Sequence, residues 1–154
     1  DYAGYVKKHS KKRIEEGYFV DTKGNVLGRH KGIVNYTIGQ RKGLGIAFGK
    51  PMFVIDINAK NNTVILGDNS DLFQYNLIAK DVNFISIEDI KEPIRVKAKV
   101  RYAAKPADAT VYKVAEDKIK IVFDEAQRAI TKGQSVVMYD GDKVVGGGII
   151  ESSF

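Results

Sequence analysis

Between Ile94 and Tyr102 the chain alternates without a break. Ile94, Val96, Ala98, Val100 and Tyr102 interleave with Arg95, Lys97, Lys99 and Arg101. Side chains on a β-strand point to opposite faces with period two, so the pattern specifies a strand with one face buried and a basic face in water. Arg95, Lys97 and Lys99 need no partner to explain them, because a solvent face is enough.

Around this strand the second half reads as β almost throughout. Leu77-Ile78-Ala79 and Val82 to Ile85 form two short strands, and Glu88 to Pro93 an acidic turn. Ala109 to Val114 and Lys118 to Phe123 form a hairpin across Ala115-Glu116-Asp117, and Asp124 to Ile130 reads as a bulged or helical turn. Ser135 to Tyr139 and Lys143 to Ile150 flank the turn Asp140-Gly141-Asp142. Three adjacent glycines, Gly146 to Gly148, mark a bulge or bend inside the last strand. Short strands at regular spacing without a helical period indicate a compact β-barrel.

The first half has its own β pattern. Tyr18-Phe19-Val20 and Val26 to His30 flank the turn cluster Asp21 to Asn25, and Met52 to Ile57 and Thr63 to Gly67 flank Asn58 to Asn62. Between these hairpins lies Gly32 to Ile46. It opens as an apolar run, Ile33-Val34 and Tyr36-Thr37-Ile38, whose β-branched and aromatic residues predict a strand. At Gly39 it breaks into a glycine-punctuated loop presenting Gln40, Arg41 and Lys42. An arginine and a lysine on a backbone-rich loop suit phosphate or RNA, although a plain hairpin loop with solvated charges fits the pattern as well. The polar stretch Asp68 to Tyr75 is the candidate domain boundary. The expected organisation is a basic linker or short helix (1–16, the helix around 2–9), a central β-domain (17–75) and a C-terminal barrel (76–154).

Charge points the same way. Of the 154 residues and net charge of +6, residues 1–50 hold 11 Lys/Arg against 4 Asp/Glu, a net of +7. Residues 51–100 sum to −1 and residues 101–154 to 0, so the excess lies in the first third, including Lys7, Lys8, Lys11, Lys12 and Arg13. Such a surface attracts polyanions. There is no cysteine, and His9 and His30 are too few and too far apart to hold a metal. No apolar run is long enough for a membrane span, and the composition fits a cytoplasmic location. No Ser/His/Asp set, ATP loop or paired carboxylates appear, so catalytic and metal residues are none, and the chain alone is not expected to catalyse a reaction. His30, at a strand end, reads as structural.

The string Tyr36 to Ile46, Y-T-I-G-Q-R-K-G-L-G-I, resembles the signature of the tRNA-specific 2-thiouridylases. The hairpin G-Y-F-V-D-x-x-G-x-V-L-G-x-H-x-G before it and D-Y-A-G-Y at the start are similar to the same family. The resemblance implies a fragment: a central β-domain plus a six-stranded antiparallel barrel similar to domain 2 of elongation factor Tu, without the N-terminal ATP-pyrophosphatase domain. That domain would carry the ATP site and two cysteines, one just upstream of Asp1, and would act in cis with a persulfide sulfur donor protein. This fragment would then be the tRNA-binding portion of a sulfurtransferase that makes 2-thiouridine at the wobble position of the anticodon, with no cofactor of its own. By resemblance Arg101, Tyr102 and Gln134 stand at tRNA contacts, with Arg41 and Lys42 facing RNA or the absent domain. Lys132 replaces a proline of the family's loop, and Ala103-Ala104 follow Arg101-Tyr102 where a basic or polar residue is usual. The alternative is a self-standing β-barrel module that binds a protein partner or ribosomal RNA.

Overall fold

The computed structural model describes residues 14–154, which form two compact units divided between Leu72 and Phe73. The expected helix around residues 2–9 and the basic run from Lys7 to Arg13 lie outside the described residues.

The first unit is a four-stranded sheet. Strands β1 (Gly17–Val20) and β2 (Val26–His30) form one hairpin, and β3 (Phe53–Asn58) and β4 (Thr63–Gly67) form another. β1 pairs parallel with β4, giving the order β2-β1-β4-β3. Asp21 sets the first turn by accepting the backbone N–H groups of Lys23 and Asn25 at 2.9 and 2.8 Å. Phe19, Val54, Val64 and Leu66 are fully buried, and the connection between the hairpins covers them with Ile33, Tyr36, Leu44 and Met52. Phe19 meets Tyr36 and Phe48 edge-on at 5.2 and 6.1 Å between ring centroids.

The strand expected over Ile33 to Ile38 is not formed. Ile33–Asn35 is instead a 3₁₀ turn, with Tyr36 N–H bonded to the Ile33 carbonyl at 3.2 Å. Ile33 and Tyr36 are buried while Val34 is exposed, and a three-residue turn puts positions i and i+3 on one side. Burial of this pair overrides β propensity. Gly32, at φ 112°, supplies the backbone entry to the turn.

The second unit is the expected barrel. Strands β5 (Phe73–Phe84), β6 (Ile94–Lys99), β7 (Ala107–Ala115), β8 (Lys118–Arg128), β9 (Ser135–Asp140) and β10 (Lys143–Ser153) close in the order β10-β5-β8-β7-β6-β9, with every pair antiparallel. Inward residues, among them Leu77, Val96, Val111, Ile121, Phe123, Val136 and Met138, fill the interior. The alternation read in β6 holds: Val96 and Ala98 are buried, and Arg95 and Lys97 are exposed.

The barrel departs from the sequence reading in three places. Residues 77–85 do not make two strands, because β5 runs unbroken through a bulge at Asp81, which adopts φ 52°. Asp124 to Arg128 is not a turn but the end of β8, paired with the start of β5; the chain turns only at Ala129, at φ 58°. β6 stops at Lys99, short of Tyr102. Its register sets Ala98 against Ala107, which carries Pro106 opposite Lys99, and proline has no N–H to continue the ladder. The glycine triplet behaves as read, with β10 bulged on either side of it. A side chain at Gly147 would strike the Val136 carbonyl and one at Gly148 the Lys80 carbonyl, so the neighbouring strands approach where no Cβ intervenes.

Candidate nucleic-acid interface

With all strands antiparallel, the barrel's connections sort to two ends. Loops 100–106 and 129–134 lie at one end, and loops 85–93, 116–117 and 141–142 at the other. Arg101, Tyr102 and Gln134 therefore share an end. β6 pairs with β9 up to Lys99 opposite Val137, so the loop carrying Arg101 and Tyr102 leaves β6 at the end where Gln134 leads into β9.

Each side chain is held differently. The Arg101 guanidinium donates from Nη1 to the Arg128 carbonyl at 2.8 Å, tying loop 100–106 to the end of β8. Behind it Val100 is buried, and Ala104 N–H bonds to the Arg101 carbonyl at 3.1 Å to close the turn. Tyr102 stands in this turn and is 96% exposed, with Lys99 Nζ 5.0 Å from its ring centroid. Gln134 is fixed through its backbone: Ile150 N–H donates to its carbonyl at 2.8 Å, and the preceding Gly133 N–H donates to the Ile150 carbonyl at 2.8 Å. Its side chain is left exposed.

Arg41 and Lys42 belong to the first unit. Their loop is pinned to β3 by two backbone bonds, Gly39 N–H to the Val54 carbonyl (2.8 Å) and Val54 N–H to the Gln40 carbonyl (2.9 Å). The Gln40 side chain braces the loop from inside, accepting Thr37 N–H and donating to the Lys42 carbonyl, each at 2.9 Å. Leu44 plugs the core, and Arg41 and Lys42 project into solvent. His30 is buried, as a structural residue should be: its Nδ1 accepts Gly32 N–H at 3.0 Å and its Nε2 lies 2.8 Å from the Asn62 carbonyl.

One feature of the barrel escaped the sequence reading. Residues 73–154 carry 13 Lys/Arg and 12 Asp/Glu, which looks neutral. Loops 100–106 and 129–134 nevertheless hold Arg101, Lys105 and Lys132 with no acid, a net of +3. Loops 85–93, 116–117 and 141–142 hold six acids against Lys91 alone, a net of −5. On the wall between the ends four of the cations are neutralised: Arg95 by Asp124, Lys97 by Asp108, Lys113 by Asp89 and Lys118 by Glu151. Counting along the chain averages the two ends away; sorting the loops by topology separates them.

Among the described residues there is no group of metal-ligating side chains, and no helix is long and apolar enough to cross a membrane. What remains is a pair of β modules, one of them a barrel with a basic, aromatic-bearing end. Comparison with known families gives the same class: residues 3–68 match the tRNA methyl transferase PRC-barrel domain, and residues 74–150 match the aminomethyltransferase β-barrel domain. The tRNA-specific 2-thiouridylase MnmA of Clostridioides difficile is 79% identical over 153 residues, 99% of this chain and 42% of that protein. The one of Acetivibrio thermocellus is 60% identical over 151 residues, 98% of this chain and 42% of that protein. A third, from Clostridium botulinum, is 57% identical over 151 residues, 98% of this chain and 43% of that protein. The chain belongs to the tRNA-specific 2-thiouridylase family and spans less than half the length of these relatives.

Proposed function

We propose that this chain is the tRNA-gripping portion of an ATP-dependent sulfurtransferase that makes 2-thiouridine at the wobble position. The observation that carries the reading is the gathering of Arg101, Tyr102 and Gln134 at the barrel end whose loops are wholly basic. Each residue type suits RNA: arginine pairs with phosphate or stacks on a base, tyrosine stacks, and an amide reads base edges. Arg41 and Lys42 would add a second basic surface, toward RNA or toward the catalytic domain. ATP activation of the uridine and delivery of persulfide sulfur would fall to a part of the family's proteins outside these 154 residues. The chain contains no cysteine to carry the sulfur. The working environment would be the cytoplasm, with tRNA as substrate and a persulfide donor protein as partner.

Fluorescence anisotropy with an unmodified tRNA transcript tests the grip, and binding that weakens as salt rises is expected. Incubation of the chain with tRNA, ATP and a persulfide donor, followed by mass spectrometry for 2-thiouridine, tests the division of labour. No product is expected from the chain alone, and an ATP-dependent product would overturn the proposal.

A further inference from the structure

A cleft of about 340 Å³ opens on the barrel surface next to Gln134, lined by Lys80, Lys132, Gly133, Ile149, Ile150 and Glu151. Lys80 comes from β5, where it pairs in register with Ile149 of β10, and Lys132 from the loop between β8 and β9. Among the described residues neither lysine has a carboxylate within ion-pairing distance, unlike the four paired cations of the wall. Glu151 is already engaged, accepting Lys118 Nζ at 2.9 Å. Taken with that pair, the cleft keeps an uncompensated charge of +2 from Lys80 and Lys132.

We infer that Lys80 and Lys132 hold a backbone phosphate of the RNA in this cleft, beside the nucleotide met by Gln134. This rests on the tRNA-binding reading and adds a subsite to it. Lysine is a compact point charge on a flexible stem, suited to a phosphate and poor at reading bases. Ile149 and the backbone of Ile150 line the cleft without offering a polar side chain, and Gly133 brings no side chain into the space. The ligand it fits is thus a small anion approached from two sides, not a base needing a matched hydrogen-bond edge. Lys80 lies on the wall, in register with Lys118 just after the acidic turn at Glu116 and Asp117, and Lys132 lies on the basic loop, so the cleft runs from the wall to the basic end. A polyanion is attracted to loops 100–106 and 129–134 and repelled from loops 85–93, 116–117 and 141–142, which fixes which end meets the RNA.

A phosphate contact leaves a signature that a structural lysine does not: it weakens binding about equally for all sequences and lowers the salt slope by about 1. The test is anisotropy of the whole chain with a labelled tRNA transcript from 50 to 200 mM salt. The variants are Lys80→Gln, Lys132→Gln and the double variant, with Lys143→Gln at the acidic end as control. The subsite predicts a shallower slope for the single variants, at least as shallow for the double, the same change on an unrelated tRNA, and no change for Lys143→Gln. An unaltered slope in the double variant, or an equal loss in Lys143→Gln, overturns the subsite while the tRNA reading stands. If the unmodified chain shows no salt-dependent binding of tRNA, the reading itself falls and the subsite with it.

Discussion

Two basic loops, one in each unit, present similar residues and hold them in opposite ways. In the first unit the glutamine is spent: Gln40 braces its own loop with both ends of its amide, and Arg41 and Lys42 are left free. In the barrel the arginine is the brace: Arg101 gives one of its donors to the Arg128 carbonyl and keeps the others, and Tyr102 and Gln134 stand exposed. The same residue type thus serves as brace in one place and as exposed group in the other. Side-chain hydrogen bonds already made decide which members of a motif are available to a ligand, and residue identity alone does not.

The contrast predicts which substitutions move affinity and which move stability. Arg101→Ala should have the largest effect because it does both. Loss of a good arginine contact costs roughly 1–3 kcal/mol of tRNA binding, and loss of the bond to Arg128 should lower the melting temperature as well. Arg101→Lys keeps the charge without the planar fork and should recover only part of either. If Arg101→Ala lowers only the melting temperature, the residue is a brace and nothing more. Tyr102→Ala should cost about 1–3 kcal/mol in binding if the ring stacks on a base, leave thermal stability unchanged, and be largely rescued by Tyr102→Phe. A fall in melting temperature with unchanged affinity would remove Tyr102 from the interface.

The glutamines sharpen the comparison at smaller magnitude. Gln40→Ala removes two hydrogen bonds from an exposed loop and should destabilise the first unit by roughly 1 kcal/mol, read by chemical denaturation. Gln134→Ala removes no bond that holds the barrel, since that residue is fixed through its backbone, and should affect only tRNA affinity. If the two effects are exchanged, the assignment of brace and free group is wrong.

Both hairpins of the first unit were legible because turn chemistry and alternation agreed, as in Asp21 to Asn25. The buried face of β6 was legible for the same reason. The 3₁₀ turn at Ile33–Asn35 was not, because β-branched residues favour extended backbone locally, and only the core under Ile33 and Tyr36 decides otherwise. Nor was the continuity of β5, since a polar Asp81 looks like a break until its neighbours pair across the bulge. That Arg101, Tyr102 and Gln134 share an end came from the resemblance and a general expectation about barrels. The opposite charges of the two ends were hidden because they depend on which loops the closed topology brings together. Of the braces, Arg101 to Arg128 joins residues 27 apart in sequence, and no local pattern announces it.

The smallest predicted effect concerns the wall between the barrel's ends. Arg95 forks onto Asp124, with both nitrogen–oxygen distances at 2.7 Å, and its Nη1 also reaches Thr110 Oγ1 at 3.0 Å. The hydrogen bonds from Arg95 hold the Asp124 carboxyl below its ordinary value, and a bond from Lys113 does the same for Asp89. A carboxyl depressed in the folded state binds its proton less readily there than in the unfolded chain, where aspartate titrates near about 3.9. Its stabilisation is therefore complete above that value and is lost as pH falls through the lower, folded one. Calorimetry of the chain and of Asp124→Asn at pH 7 and near pH 3 should show the variant melting slightly lower at neutral pH, with the gap closing in acid. Both partners are exposed and salt screens them, so the gap should also narrow at high ionic strength. The tRNA affinity of Asp124→Asn should match that of the unsubstituted chain after correction for any unfolded fraction, because Arg95 stands at the start of β6, toward the acidic end. A gain in affinity would mean that releasing Arg95 adds a cation to the interface, and that the wall as well as the basic end meets the RNA.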